Sequence, residues 1–140
     1  MLANVSVFIE GLTPKAKAAL GGELFEIKRF PFRVGRESRV PGSPGRPDSR
    51  RRPDSIPNND LYLLELGHVL NVSRDHFLID YRDGSYLLVD RGSACGTLVE
   101  GVRVGEKRSG GTIPLRNNDV IIVGTSVSDF VFKFLIRETG

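Results

Sequence analysis

The run SRDHFLIDYRDGSYLLVDRGSACGT, Ser73 to Thr97, is the stretch whose reading decides the fold. Within it Phe77, Ile79 and Tyr81 alternate with Leu78, Asp80 and Arg82, the period of two that puts apolar side chains on one face of a β-strand. Asp83-Gly84 follows, a pair suited to a tight reversal. Then comes the short apolar run Leu87 to Val89, of the kind expected where both faces of a strand are covered. The polar segment from Asp90 ends the second strand. The stretch therefore reads as two strands joined by a turn and bounded by two loops.

The same alternation extends in both directions. Val5, Val7 and Ile9 near the start, and Phe130, Phe132, Phe134 and Ile136 near the end, each line one face of a strand. Val120 to Val123 is a second short continuous run. Turn signals at Pro31, Glu100-Gly101, Gly110-Gly111, Asn117-Asn118 and Gly124-Thr125 divide these segments. Many short strands with frequent turns describe an all-β sandwich or barrel.

Two segments interrupt this pattern. In Thr13 to Gly21, Thr13 is a candidate N-cap, Pro14 a first helical residue and Gly21 a C-terminal stop; a short helix and a solvated loop are both compatible with it. Glu37 to Asn59 is rich in Pro, Gly, Ser and Arg and nearly free of large apolar residues. Such a composition buries too little surface to offset its ordering entropy, so it reads as a disordered insertion within one domain. The expected organisation is a single domain over 1–140 with a core at about 22–136.

Composition narrows the function. A chain of 140 residues, 39% of them hydrophobic, fills one core without metal or disulfide staples. The single cysteine, Cys95, has no internal partner, which favours a reducing, cytoplasmic setting, and His68 and His76 are the only histidines, so no zinc-ligand spacing occurs. No metal and no cofactor are expected. No apolar run approaches the length of about 20 residues that a bilayer requires, so no membrane association is expected. The amino terminus lacks the basic region of a signal peptide. The net charge of +3 is mild and favours an anionic ligand over a cationic one.

Three short patterns occur in order: Gly35-Arg36 at a strand end, Ser73-Arg74-Asp75-His76, and Gly92-Ser93-Ala94-Cys95-Gly96-Thr97. Together, with strands between them, they resemble the forkhead-associated (FHA) family, whose signature runs GR, then SxxH, then SxNGT. The resemblance covers about Leu24 to Leu135. It implies an all-β antiparallel sandwich of two packed sheets, with loops at one end binding a threonine-phosphorylated protein, a Ser/Thr kinase among the candidates.

The chemistry of such a ligand agrees with the residues. A phosphothreonine carries about −1.5 to −2 charges and three strong acceptor oxygens, and calls for cations and hydroxyl donors on a rigid frame. Arg36 offers a charge-assisted donor, with Gly35 relieving the backbone for a turn. Ser73 offers its hydroxyl and backbone amide, and Arg74 a second cation. The resemblance implies that His76 braces the binding loop, that Asp90 and Ser93 hold the second loop, with Gly96 and Thr97 supporting it, and that Ala94 and Cys95 face the bound peptide. Cys95 stands where the family pattern has asparagine. A thiol is a weak donor and acceptor, so the peptide-gripping half of the site is expected to be weak. Arg91 adds charge to the same loop, as a contributor to the site or as a solvated side chain.

Other readings compete. A Cys-His hydrolase would pair Cys95 with His76 or His68 and orient the base with Asp75 or Asp90, but no cysteine-hydrolase signature surrounds Cys95 and no helix lowers its pKa, so no enzyme is expected. The triplet Arg50-Arg51-Arg52 suits nucleic-acid phosphates, yet Asp48 and Asp54 flank it and no aromatic residue stacks on bases, so a solvated insertion without nucleic-acid binding is expected. The stronger competitor keeps the fold and binds its partner independently of phosphorylation.

Overall fold

The computed structural model describes residues 4–37, 58–67 and 70–139. Eleven strands and one helix follow in the order β1 (Asn4–Gly11), α1 (Pro14–Leu20), β2 (Leu24–Ile27), β3 (Phe32–Arg36), β4 (Leu61–Leu63), β5 (Phe77–Arg82), β6 (Ser85–Asp90), β7 (Thr97–Val99), β8 (Val102–Val104), β9 (Gly111–Leu115), β10 (Val120–Val123) and β11 (Val131–Thr139). They form a six-stranded sheet, β2-β1-β11-β10-β7-β8, and a five-stranded sheet, β4-β3-β5-β6-β9. The all-β sandwich of two packed sheets is therefore observed.

The pairing is antiparallel except between β3 and β4, which run parallel. A parallel pair needs a long crossover connection, and residues 37–60 supply it. Most of the expected insertion, including Arg50-Arg51-Arg52, lies outside the described residues, as does His68. Its ends are different from expectation. Glu37 donates its amide to Leu63 O at 2.9 Å, and Asn59 is only 3% exposed.

Alternation predicts the core well. Val7, Ile9, Phe77, Ile79, Phe130, Phe132 and Phe134 are buried between the sheets with Val34, Leu88 and Ile121. The Leu87–Val89 run departs from expectation. Only Leu88 is buried; Leu87 and Val89 are half-buried on the opposite face of the strand. The expected core boundary at about residue 22 is also too late. β1 pairs with both β2 and β11, and Val7, Ile9 and Ala16 sit in the interior.

Thr13 to Gly21 adopts the helical alternative. Thr13 Oγ1 accepts the Ala16 amide at 3.3 Å, Pro14 occupies the first position, and Gly21 ends the helix at φ 73°. Burial of Ala16 against the sandwich gives this seven-residue helix the packing that a short helix needs.

Candidate functional site

The loops β4–β5, β6–β7 and β8–β9 meet β3 at one end of the sandwich. They enclose a groove of about 580 Å³ lined by Arg36, Ser73, Arg74, Arg91 and Arg108 among its polar side chains, with Leu70 and Val72 as its apolar wall. Asp75 is the one carboxylate in the lining among the described residues.

The Ser73 segment lies across the end of β3. Arg36 donates its amide to Ser73 O at 2.9 Å and its Nη1 to Val72 O at 3.0 Å. Gly35 is not in a turn as expected; it is the fourth residue of β3, and its absent side chain has another cause. A Cβ there would stand 1.9 Å from Arg74 O and 2.6 Å from Asn59 Nδ2. Glycine is required because the Ser73–Asp75 backbone crosses in direct contact with it. On the far side, Glu65 Oε1 accepts the amides of Asn71 and Val72 at 2.8 Å each, and Thr125 Oγ1 donates to Asn71 Oδ1 at 2.8 Å.

His76 is fully buried and bonds to both site loops. Its Nδ1 accepts the Ser73 amide at 2.9 Å, which assigns the proton to Nε2, and Nε2 then donates to Gly96 O at 2.7 Å. Burial lowers the imidazole pKa below its ordinary value, although the Gly96 carbonyl and the charges of Asp90 and Glu65 oppose that shift. The ring is held neutral as a link between loops. Because the Ser73 amide is used by His76, it is not the ligand donor expected of it. The Ser73 hydroxyl accepts the Ala94 amide at 3.0 Å, which leaves its own proton to be donated into the groove.

The β6–β7 loop is organised by Asp90. Its Oδ1 accepts the amides of Gly92 at 3.0 Å and Ser93 at 2.8 Å, and its Oδ2 accepts the hydroxyls of Ser93 at 2.6 Å and Thr97 at 3.0 Å. Ser93 Oγ in turn accepts the Gly96 amide at 2.9 Å. Asp90, Ser93 and Thr97 are all buried, so these bonds satisfy polar groups removed from water. Gly96 adopts φ 80°, and a Cβ on it would meet Gly105 O at 2.6 Å.

Ala94 is exposed in the groove lining, whereas Cys95 is not part of that lining. Its Sγ lies 3.7 Å from Leu70 O, and its carbonyl accepts Arg103 Nη1 at 2.7 Å. The competing Cys-His hydrolase pairing does not form with His76, both of whose nitrogens bond to backbone groups. Among the described residues no group of three or more His, Cys, Asp and Glu side chains is placed to hold a metal ion, and no helix is long and apolar enough to cross a membrane.

Asn59 and Arg108 escape sequence reasoning, and the structure decides between the two readings left open for Arg91. Asn59 donates Nδ2 to Arg74 O at 2.9 Å and accepts Arg91 Nη1 on Oδ1. Arg91 also reaches Asn58 O at 3.3 Å and Asp75 Oδ1 at 3.2 Å, so it is neither solvated nor a free cation. Burial lowers its pKa from the ordinary arginine value, with Asp75 opposing. Arg108 enters the groove from the β8–β9 turn, whose Lys107 and Arg108 amides donate to Ala94 O and Ser93 O at 3.0 Å each.

A family model described as FHA domain matches residues 32–124, well over half of the chain. The chain belongs to the FHA family. FHA domains are phosphopeptide-binding protein-interaction modules, and no catalytic family is indicated. Solved FHA structures share its fold. The kinase-interacting FHA domain of the Arabidopsis kinase-associated protein phosphatase is 21% identical with a TM-score of 0.61, covering 99% of each chain. The FHA domain of a Chlamydia trachomatis protein is 21% identical with a TM-score of 0.58, covering 93% of this chain and 96% of that one. Mycobacterium tuberculosis EmbR, in complex with a low-affinity phosphopeptide, is 20% identical with a TM-score of 0.59; the match covers 96% of this chain and a quarter, 25%, of that one. No curated protein sequence matches this FHA chain.

Proposed function

We propose that the groove receives a phosphothreonine of a protein modified by a Ser/Thr kinase, and that the whole chain of 1–140 acts as one recognition domain. The observation that carries this reading is the convergence of Arg36, Arg74 and the Ser73 hydroxyl in one groove whose walls are fixed by hydrogen bonds. Arg36 and Arg74 supply charge to the phosphate, and Ser73 donates its hydroxyl proton. Arg36 Nη1 donates to Val72 O, which holds the guanidinium beside the Ser73 segment. Gly35, His76, Asp90, Ser93, Gly96 and Thr97 support the two loops. Ala94 borders the peptide, and Cys95 offers it only backbone, since its thiol turns toward Leu70. Leu70 gives the groove an apolar surface for the threonine methyl.

Titration of phosphothreonine, phosphoserine and unmodified peptides tests this function. Preference for phosphothreonine supports it. Equal affinity for all three rejects it in favour of a domain that binds its partner independently of phosphorylation, the reading that the absent asparagine amide at Cys95 favours. Arg36→Ala and Ser73→Ala each remove a charge-assisted bond worth about 1.5–3 kcal/mol, so each is expected to weaken phosphopeptide binding roughly tenfold or more. Unchanged affinity in both variants defeats the assignment.

A further inference from the structure

Antiparallel sheets with one solvated face commonly turn apolar residues inward and polar ones to water. The outer face of the six-stranded sheet departs from that pattern over β2, β1, β11 and β10, which are neighbours in that order. Where Ile9, Phe132 and Phe134 point into the core, the residues that alternate with them point out. Register arranges the outward residues in rows across the strands. One row joins Phe8 to Leu135, the next runs Leu24, Glu10, Lys133, Val120, and a third joins Val131 to Ile122. Leu24 is 42% exposed, and Phe8, Val120, Val131 and Ile122 are half-buried, so most of this face is apolar and open to solvent. Helix α1 does not cover it. Gly11 points the same way as Ile9, and a Cβ on it would meet Lys17 N at 2.8 Å, so the helix lies on the inner side of β1.

The charges on this face match a second copy of the same face. Glu10 and Lys133 are opposite each other in the middle of the apolar area, and among the described residues they form no ion pair with each other. Turning a second copy by 180° about an axis that runs along the strands, between β1 and β11, lays β11 of one copy over β1 of the other. Glu10 then faces Lys133 of the second copy, and Lys133 faces its Glu10. The same operation sets Phe8 against Leu135 and Leu24 against Val120. An axis along β1 would instead set Glu10 against Glu10, and an axis along β11 would set Lys133 against Lys133.

We propose that this face is the contact surface of a symmetric homodimer whose two-fold axis runs along the strands between β1 and β11. Sheets packed face to face lie about 10 Å apart with strands within about 30° of one another, a gap that glutamate and lysine side chains reaching from both sides can close. Four strands about 4.8 Å apart and three rows about 6.8 Å apart cover roughly 400 Å² on each copy, below the standard interface size, so the dimer is a weak one. Rotation about an axis along the strands keeps their direction, so the grooves of both copies open at the same end. The dimer does not depend on what those grooves bind.

Sedimentation equilibrium of the full chain tests this interface. Between about 5 and 500 μM, the range of a small interface, the average mass of wild-type protein is expected to rise from 15.4 kDa toward twice that value. Glu10→Lys and Lys133→Glu each put like charges against one another twice in a homodimer, and each is expected to weaken association at least about tenfold. An equimolar mixture of the two variants is expected to recover association to within about threefold of wild type. In the mixed dimer each introduced charge meets its opposite on the other chain, and the remaining Glu10 and Lys133 face each other. Mixing repairs no effect that either substitution has within its own chain. Leu24→Lys, at an exposed position on an edge strand, is expected to keep the wild-type melting temperature and lose the dimer. Three results overturn the proposal: wild-type protein stays at the monomer mass throughout, the mixture associates no better than its components, or Leu24→Lys dimerises as wild type does.

Discussion

Two residues show how little room the site has for change. Gly35 is in extended β3, so its need for glycine comes from the Arg74 carbonyl that a Cβ would strike at 1.9 Å. Gly35→Ala is expected to cost about 3 kcal/mol, as overpacking against backbone does, and to abolish phosphopeptide binding by displacing Ser73. Gly22, where an added methyl group would meet nothing within 4 Å, is the control: Gly22→Ala is expected to stay within about 0.5 kcal/mol of wild type. Urea melts of both variants check the contrast. His76 gives the pH dependence. Its imidazole is held below the ordinary value by burial, so between that value and its lower folded one the unfolded chain binds a proton that the folded chain refuses. Stability from this group is complete above about pH 6.5 and falls as pH drops through it, by at most about 1.4 kcal/mol per unit. A urea midpoint that is unchanged or higher at pH 5.5 than at pH 7.5 refutes that direction.

Among the elements, the turns were the most legible. Asp83-Gly84 and Glu100-Gly101 adopt φ 51° and 80°, and 49° and 80°, as two-residue hairpin turns require, and their sequences signal it. Helix α1 shows where local signals stop short. Its cap residues are recognisable, but helix and loop are equally compatible with them until Ala16 is placed in the core. Thr13 is more than a local cap, since its hydroxyl also donates to Asp129 O and accepts the Val131 amide at 3.4 Å, tying the helix start to the end of the chain. Thr13→Ala is expected to lower stability by about 1–2 kcal/mol, measured by thermal or urea unfolding; a loss under about 0.3 kcal/mol shows that the cap is dispensable.

For the whole molecule, the order β2-β1-β11 makes the first strand an interior one. A chain shortened to residues 22–136 loses β1 and α1, exposing the edges of β2 and β11 and removing Val7, Ile9 and Ala16 from the core. It is expected to lose cooperative unfolding, with poorly dispersed amide resonances; a sharp melting transition near that of the full chain refutes this. The parallel β3–β4 pair has the same global origin. It brings Asn59, at the end of a segment whose composition promises no structure, onto Arg74 O and Arg91, two residues that line the groove.

Period-two alternation, turn pairs and the three ordered motifs are short-range properties, so the sequence by itself determined the strands, most core residues, the family, and Arg36, Ser73 and Arg74 as candidates. Tertiary structure alone decided which other groups meet them. Asn59, Arg91 and Arg108 are positioned by strand register and a parallel strand pair across wide separations in the chain; no local pattern marks Asn59 or Arg108, and the loop that holds Arg91 leaves its role open. The same distinction corrected Gly35 and the Ser73 amide. Both positions were legible, but their roles depend on the carbonyl of Arg74 and the imidazole of His76, whose approach is set by packing between loops and strands.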